Sequence, residues 1–454
     1  MVCCQGSGLA GTAQSIASPS AGAIDGPDFL TEARSGIASG VRILPWLLPL
    51  ACGSLLAADT WNQWRGPNRD GRIPQGPDWP ARLDESSLRR RWNVPLGPGY
   101  SGPVMDAERV FTTETVDKKR ERVSALRRSD GSVLWRRDWE GSMSVPFFAR
   151  SNGDWIRATP ALDGDTLFVA GMRDVLVALD TKDGSERWRL DFVQRFGSEL
   201  PTFGFVSSPL VDGDSVYVQA GGGVARLRKA DGQVVWHGVK DGGGMMGSAF
   251  GSPVILTLGG RRQLVVQSRT RLVGVALEDG AELWALPIES FRGMNILTPT
   301  LAGPDRLFTA TYGGKTLGID VRSENGAFRA VPAWEFKAQG YMTSPIVHAG
   351  HAYLQLRSQR AMCIDLATGA EKWTTGESFG KYWSMVASGD RILALDQRGE
   401  LILFRATPEK FDVLSRRKVS EAETWAHLGI DGGSLYLREL GGLTAWDWAE
   451  AKAR

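Results

Sequence analysis

Residues Thr159-Pro160-Ala161-Leu162-Asp163-Gly164-Asp165-Thr166-Leu167-Phe168-Val169 return almost unchanged as Ser208-Pro209-Leu210-Val211-Asp212-Gly213-Asp214-Ser215-Val216-Tyr217-Val218. Each stretch is followed by an Asp-Gly pair and then a tryptophan, Asp183-Gly184 with Trp188 and Asp231-Gly232 with Trp236. The same order recurs from Gly102-Pro103 to Asp130-Gly131 and Trp135, from Ser252-Pro253 to Asp279-Gly280 and Trp284, from Thr298-Pro299 to Asn325-Gly326 and Trp334, and from Ser344-Pro345 to Thr368-Gly369 and Trp373. Two degenerate copies finish the chain. One starts at Ser384-Met385 and puts Phe411 near the tryptophan position; the other starts at His427-Leu428, turns at Asp431-Gly432-Gly433 and ends at Ala445-Trp446-Asp447.

Within each copy, short runs of alternating Val, Leu, Ile, Tyr and Phe are separated by glycine-containing turns, the pattern of antiparallel strands joined by hairpins. Asp-Gly and Asn-Gly suit type I′ turns, which need positive φ at both central positions. Four strands per copy and eight copies of about 45 residues predict an all-β fold, an eight-bladed β-propeller of four-stranded antiparallel blades. The last copy lacks a fourth strand, while Leu88–Pro95, carrying Trp92, has no preceding strands of its own. Pairing the two closes the ring and leaves no blade edge unpaired. Trp92, Trp135, Trp188, Trp236, Trp284, Trp334 and Trp373 are seven of the 17 tryptophans and share one slot, where an indole can wedge between blades. Each buries on the order of 200 Å², worth about 5 kcal/mol as an upper bound.

The run Ala178-Leu179-Asp180-Thr181-Lys182-Asp183-Gly184-Ser185-Glu186-Arg187-Trp188, echoed from Cys363 to Trp373, resembles the tryptophan-docking motif of PQQ-like, quinoprotein alcohol dehydrogenase-like propellers. Arg127 and Arg228 stand where that motif has Asp, and the fifth copy carries an insertion before Trp334. The leader Trp61-Asn62-Gln63-Trp64-Arg65-Gly66-Pro67-Asn68-Arg69-Asp70-Gly71 is similar to the opening of secreted bacterial PQQ-like repeat proteins. The resemblance covers residues 88–454 and implies the eight-bladed fold. It implies two kinds of function: dehydrogenases that hold PQQ and Ca²⁺ in the central funnel, and non-catalytic relatives such as the envelope-assembly component BamB. The dehydrogenases place adjacent cysteines over the quinone, and the adjacent pair of this chain, Cys3-Cys4, lies in the leader. Asn295, Asp241 and Glu199 are the nearest candidates for calcium ligands.

Composition narrows the classes further. Lys+Arg 53 against Asp+Glu 51, without a long basic run, argues against a nucleic-acid partner. Residues 1–40 are rich in Ala, Gly and Ser and lack apolar periodicity. Arg42, the apolar stretch 43–56 and Leu56-Ala57-Ala58 read as a secretory signal cleaved near Ala58, which sends the protein to the periplasm or outside the cell. The organisation is thus a leader and signal peptide in 1–58, an extension in 59–87 that packs on the propeller, and the propeller in 88–454. Two basic and three acidic residues lie in 1–58, so the remainder carries +3 and retains Cys363 alone, in a slot other copies fill with Ala or Gly. Membrane association rests on partners, or on a lipidated Cys52. No catalytic triad or metal motif is found; His348 and His351 straddle a turn without a third ligand, and the G-x-G-x-x-G matches at 6–11, 97–102 and 242–247 lack a strand and helix around them. Function falls to the funnel. The residues just before the Ser/Thr-Pro landmark are expected to face the axis: Tyr100, Arg157, Phe205, Asn295, Tyr341, Trp383 and Trp425. They form either a recognition surface for a peptide, sugar or quinone, or a plug that stiffens the ring. The reading is a non-enzymatic scaffold for a protein partner in the cell envelope, with a PQQ/Ca²⁺ dehydrogenase or a small-ligand or glycan binder as alternatives.

Overall fold

In the computed structural model, which describes residues 61–73, 79–241 and 250–449, eight four-stranded antiparallel sheets follow one another as the blades of a β-propeller. Blades 1 to 7 span 104–140, 161–191, 210–238, 254–287, 300–336, 346–374 and 383–418, each in plain sequence order. The eighth consists of Gly429–Asp431, Ser434–Glu439 and Gly442–Trp448, with Leu88–Pro95 as its outermost strand. Leu88 lies opposite Trp448 and Pro95 opposite Gly442, with a bulge between Arg90 and Trp92. Arg438 then ties this blade to blade 1, its Nη2 donating to Gly97 O and, at 3.2 Å, to Thr113 O. The expected signal sequence and its cleavage site at Ala58, Cys3-Cys4 and Cys52 lie outside the described residues.

The core sits between blades rather than within one. In strand Thr166–Gly171, Leu167 and Val169 pack against blade 1, while Phe168 and Ala170 pack against blade 3. Alternation therefore buries both faces, and the strand reads as a continuous apolar run. The junctions between blades 3 and 4, 4 and 5, 5 and 6, and 6 and 7 each hold an apolar cluster of the same kind.

Five of the docking tryptophans, Trp92, Trp135, Trp188, Trp236 and Trp334, pack over a glycine turn of the next blade, and Trp373 over the glycine-free turn at Thr407. The indole Nε1 of Trp92, Trp135, Trp188, Trp236, Trp334 and Trp373 donates to a backbone carbonyl at 2.9 to 3.0 Å: Arg128, Thr181, Lys229, Leu277, Leu366 and Thr407 respectively. Trp284 departs from this and donates within its own blade to Gln263 Oε1, 2.6 Å away. The neighbour explains it, because the third hairpin of blade 5 runs on to Asn325-Gly326 and offers no docking turn. Among the Asp-Gly and Asn-Gly pairs of the described residues, Asn325-Gly326 alone has both angles positive, at 51° and 80°. At Asp183-Gly184 only the glycine is left-handed, and its N–H donates to Asp180 O across a wider turn. Phe411 does not occupy the tryptophan slot. It precedes its strand and packs at a tilt against Trp373, with centroids 5.5 Å apart. Ser415 accepts a hydrogen bond from Leu83 N–H, and Trp79 stacks on Trp448, so the extension fills the junction that lacks an indole.

Candidate functional site: an aromatic funnel closed by the N-terminal segment

A single offset selects the side chains that line the axis. The third residue before each landmark position is Tyr100, Arg157, Val206, Phe250, Ile296, Met342, Tyr382 or Trp425, and all eight line one central cavity of ≈ 240 Å³. The residue just before the landmark supplies a second, lower ring: Thr159, Ser208, Ser252, Thr298, Ser344 and His427. Proline at the landmark has no N–H, so the preceding residue carries the nearest donor. Those donors sew the blades together. Gly102 N–H donates to Thr159 Oγ1, Thr159 to Ser208 Oγ, Ser208 to Ser252 Oγ, Ser252 to Thr298 Oγ1 and Thr298 to Ser344 Oγ, at 2.9 to 3.4 Å. In the last blades, where the proline is replaced, the direction reverses and Leu428 N–H donates back to Ser384 Oγ at 2.7 Å.

Of the expected funnel residues, Tyr100, Arg157, Tyr341 and Trp425 line the cavity. Phe205, Asn295 and Trp383 do not. Phe205 packs in the junction of blades 2 and 3, and Trp383 in that of blades 6 and 7, with Nε1 donating to Asp396 Oδ2 at 3.0 Å. Asn295 is buried and donates to Ser268 O and Arg269 O. Each lies next to a residue that does line the funnel: Val206, Ile296 and Tyr382. In extended chain, neighbouring side chains point to opposite faces, so an error of one position sends a side chain into a blade junction.

Three aromatic groups run up the walls. Tyr100 packs against Trp425 at 5.7 Å, and Trp425 stacks on Tyr382 at 6.3 Å. Phe250, Phe203 and Phe148 follow at 5.7 and 6.4 Å and lead to Phe147 on the rim. Tyr341, Tyr312 and Phe291 follow at 5.2 and 5.5 Å. Burial raises the Tyr100 hydroxyl to about 12, against the opposing pull of Arg157. Phe147, Phe148 and Phe291 stand 81%, 52% and 48% exposed.

The floor comes from the segment 61–73, which crosses the ring. Met105 N–H donates to Trp61 O, Leu162 N–H to Asn62 O and Ile73 N–H to Ala387 O. Arg69 donates to Ser208 O and Pro209 O at 3.0 and 2.7 Å, while Arg65 reaches across to Pro345 O. Burial lowers Arg65 to about 10 and, with Arg65 beside it, Arg69 to about 9. Both guanidiniums lie over the ring of Trp64, at 5.5 and 5.4 Å. His427 packs between Trp61 and Trp64; burial first, then Arg65, pushes it down to about 3, so it is neutral. Beyond this floor lies a second hollow of ≈ 490 Å³, lined by Gln63, Asn68, Asp70 and the inner strands of blades 3 to 5.

A family model described as outer membrane protein assembly factor BamB matches residues 119–375, more than half of the chain. The chain belongs to that family. BamB of Shewanella oneidensis MR-1 is 24% identical over 318 residues, 63% of this chain and 75% of that one. The crystal structure of BamB from Moraxella catarrhalis superposes with a TM-score of 0.59 at 17% identity, over 81% of this chain and 99% of that one. A quinohemoprotein alcohol dehydrogenase from Pseudomonas putida HK5 superposes with a TM-score of 0.60 at 12% identity, over 87% and 81%. These two likenesses are of fold.

The residues of this BamB-family funnel do not fit a calcium-held quinone. Calcium takes six or more oxygen ligands, carboxylates prominent among them. Among the described residues, no carboxylate lines the cavity. Asp241 is engaged with Thr270, Glu199 is an exposed loop residue, and Asn295 keeps one oxygen, Oδ1, without a donor. Among the described residues no three His, Cys, Asp or Glu converge on a point. His351 lies 3.9 Å from Asp365 and His348 faces Arg72. Cys363 is buried opposite Trp373, its thiol pushed up to about 12 by burial.

Proposed function

We propose that this chain is a non-catalytic, periplasmic or secreted propeller that docks a protein partner at its funnel mouth during assembly of the cell envelope. One observation carries the reading: Phe147, Phe148 and Phe291 face water at the rim and continue inward as aromatic walls. Exposed apolar surface joined to a cavity is the mark of an interaction site. Its BamB relatives are named as assembly factors of the outer membrane, which supports the envelope setting. So does the signal peptide proposed in 1–58, ahead of an extension in 59–87 and the propeller in 88–454.

A photo-crosslinking residue placed at Phe147 or Phe291 in living cells is expected to trap a discrete envelope protein. The same residue at Val235, 49% exposed on an outer strand of blade 3, is expected to trap none. Equal capture at all three positions would overturn the choice of face. Dye-linked alcohol oxidation by the purified chain with PQQ and Ca²⁺ would overturn the non-catalytic reading.

A further inference from the structure

We infer that the funnel receives the C-terminal end of an apolar or aromatic peptide and that Arg157 holds its free carboxylate. This deepens the reading of the mouth as a protein-docking face and rests on it.

Among the described residues that line the cavity, Arg157 is the one cationic side chain, His427 being neutral. Its guanidinium lies over the ring of Tyr100 at 5.3 Å, and Nη2 donates to Gly153 O at 2.7 Å. Nε is buried without an acceptor. Among the described residues no carboxylate comes within ion-pairing distance, and Asp154 acts on it only from farther off. Other arginines on the blades do meet a carboxylate, Arg122 with Asp138 and Arg306 with Asp320 at 2.7 and 2.6 Å, while the buried Arg438 is held by the carbonyls of Gly442 and Thr113. A desolvated guanidinium without a counter-ion is costly, and an arriving carboxylate would complete it with charge-assisted hydrogen bonds.

Three further features select a peptide end. The cavity, at ≈ 240 Å³, is smaller than the ~300 Å³ at which small-molecule pockets begin. Its apolar walls run outward to Phe147 and Phe291, so a fitting ligand extends beyond the cavity. The segment 61–73 closes the far side, so a chain can enter but not pass through. A cavity of ≈ 240 Å³ closed at one end suits a single chain terminus better than the two strands of a loop. An N-terminal ammonium would meet Arg157 with like charge, whereas a C-terminal carboxylate complements it.

The test is fluorescence anisotropy with the mature chain and a fluorescein-labelled hexapeptide, Gly-Ser-Gly-Ser-Leu-Phe, as free acid or C-terminal amide, with acetylphenylalanine as a competing small acid. The free acid is expected to bind about tenfold more tightly than the amide. Arg157→Gln should bring the two within about twofold, and Arg157→Lys should retain part of the preference. The double variant Phe147→Ser/Phe148→Ser should weaken acid and amide alike. Unchanged thermal midpoints will show that these variants fold. Equal binding of acid and amide, or no binding of either, overturns the inference, while the crosslinks at the mouth judge the docking face separately. Competition by acetylphenylalanine at the affinity of the peptide overturns it in favour of a small aromatic acid.

Discussion

At the scale of single residues, blades meet through an indole and a glycine that complement each other. A Cβ on Gly184 would lie 2.6 Å from Trp135 Cε3, and the residue sits at φ +72°. Gly164 has a similar φ, +57°, with no atom within 4 Å. Gly184→Ala should therefore cost about 2–4 kcal/mol, from left-handed strain plus overpacking, and Gly164→Ala about 1–2 kcal/mol, from strain alone, as measured by urea unfolding. Two buried titratable groups make a second residue-scale prediction. Glu121 accepts from Trp139 Nε1 and Met172 N–H at 2.8 and 2.7 Å, yet burial raises its carboxyl to about 7. A folded pKa above the unfolded value gives stability that is complete below pH ~4.5 and is lost as pH rises through about 7. The stability advantage of the natural chain over Glu121→Gln should shrink between pH 5 and pH 8. His427 has the opposite sign. Its folded pKa of about 3 gives stability that is complete above pH ~6.5 and lost on acidification, so the advantage over His427→Gln should shrink from pH 7 to pH 5. Urea midpoints at the three pH values check both.

At the scale of the strand and its approach, the Ser/Thr-Pro landmark is a stitch. The hydroxyl accepts an N–H from the blade before, and its own residue donates to the blade after, from Gly102 to Ser344. Ser208→Ala leaves the buried Thr159 N–H without its acceptor and should cost about 1–3 kcal/mol in urea unfolding, while Ser208→Thr should restore most of it. The landmark was visible in the sequence; the stitch was not, because it joins residues from different repeats. The same holds for the funnel walls. Tyr100, Arg157, Tyr341 and Trp425 line the central cavity, whereas Phe205, Asn295 and Trp383 each lie one position from a residue that does. An offset of three from the landmark, applied uniformly, would have found all eight, including Val206, Phe250, Ile296, Met342 and Tyr382.

At the scale of the whole molecule, the segment 61–73 decides whether the ring has a channel or a funnel. A chain beginning at Trp79 loses Arg65 and Arg69, whose donors span blades 3 and 6, and loses the indoles around His427. It should melt several degrees below one beginning at Asp59, since a loss of about 1–2 kcal/mol shifts the midpoint of a large domain by a few degrees. The imidazole of His427, freed from burial and from Arg65, should titrate nearer its ordinary range by NMR. A His427 that stays neutral to pH 4 without the segment would show that the blades alone bury it.

The repeat, the eight blades, the four strands in each and the tryptophan slot follow from the sequence, because alternation of apolar residues, turn residues and a fixed period are local patterns that recur. Tertiary structure alone decided the phase of the funnel residues, the floor built by 61–73, the partner of Trp284 and the lack, among the described residues, of a carboxylate paired with Arg157. Alternation of period two has no absolute phase until packing chooses a face. The other three depend on contacts between residues far apart in the chain, or on their absence, and no local pattern encodes those.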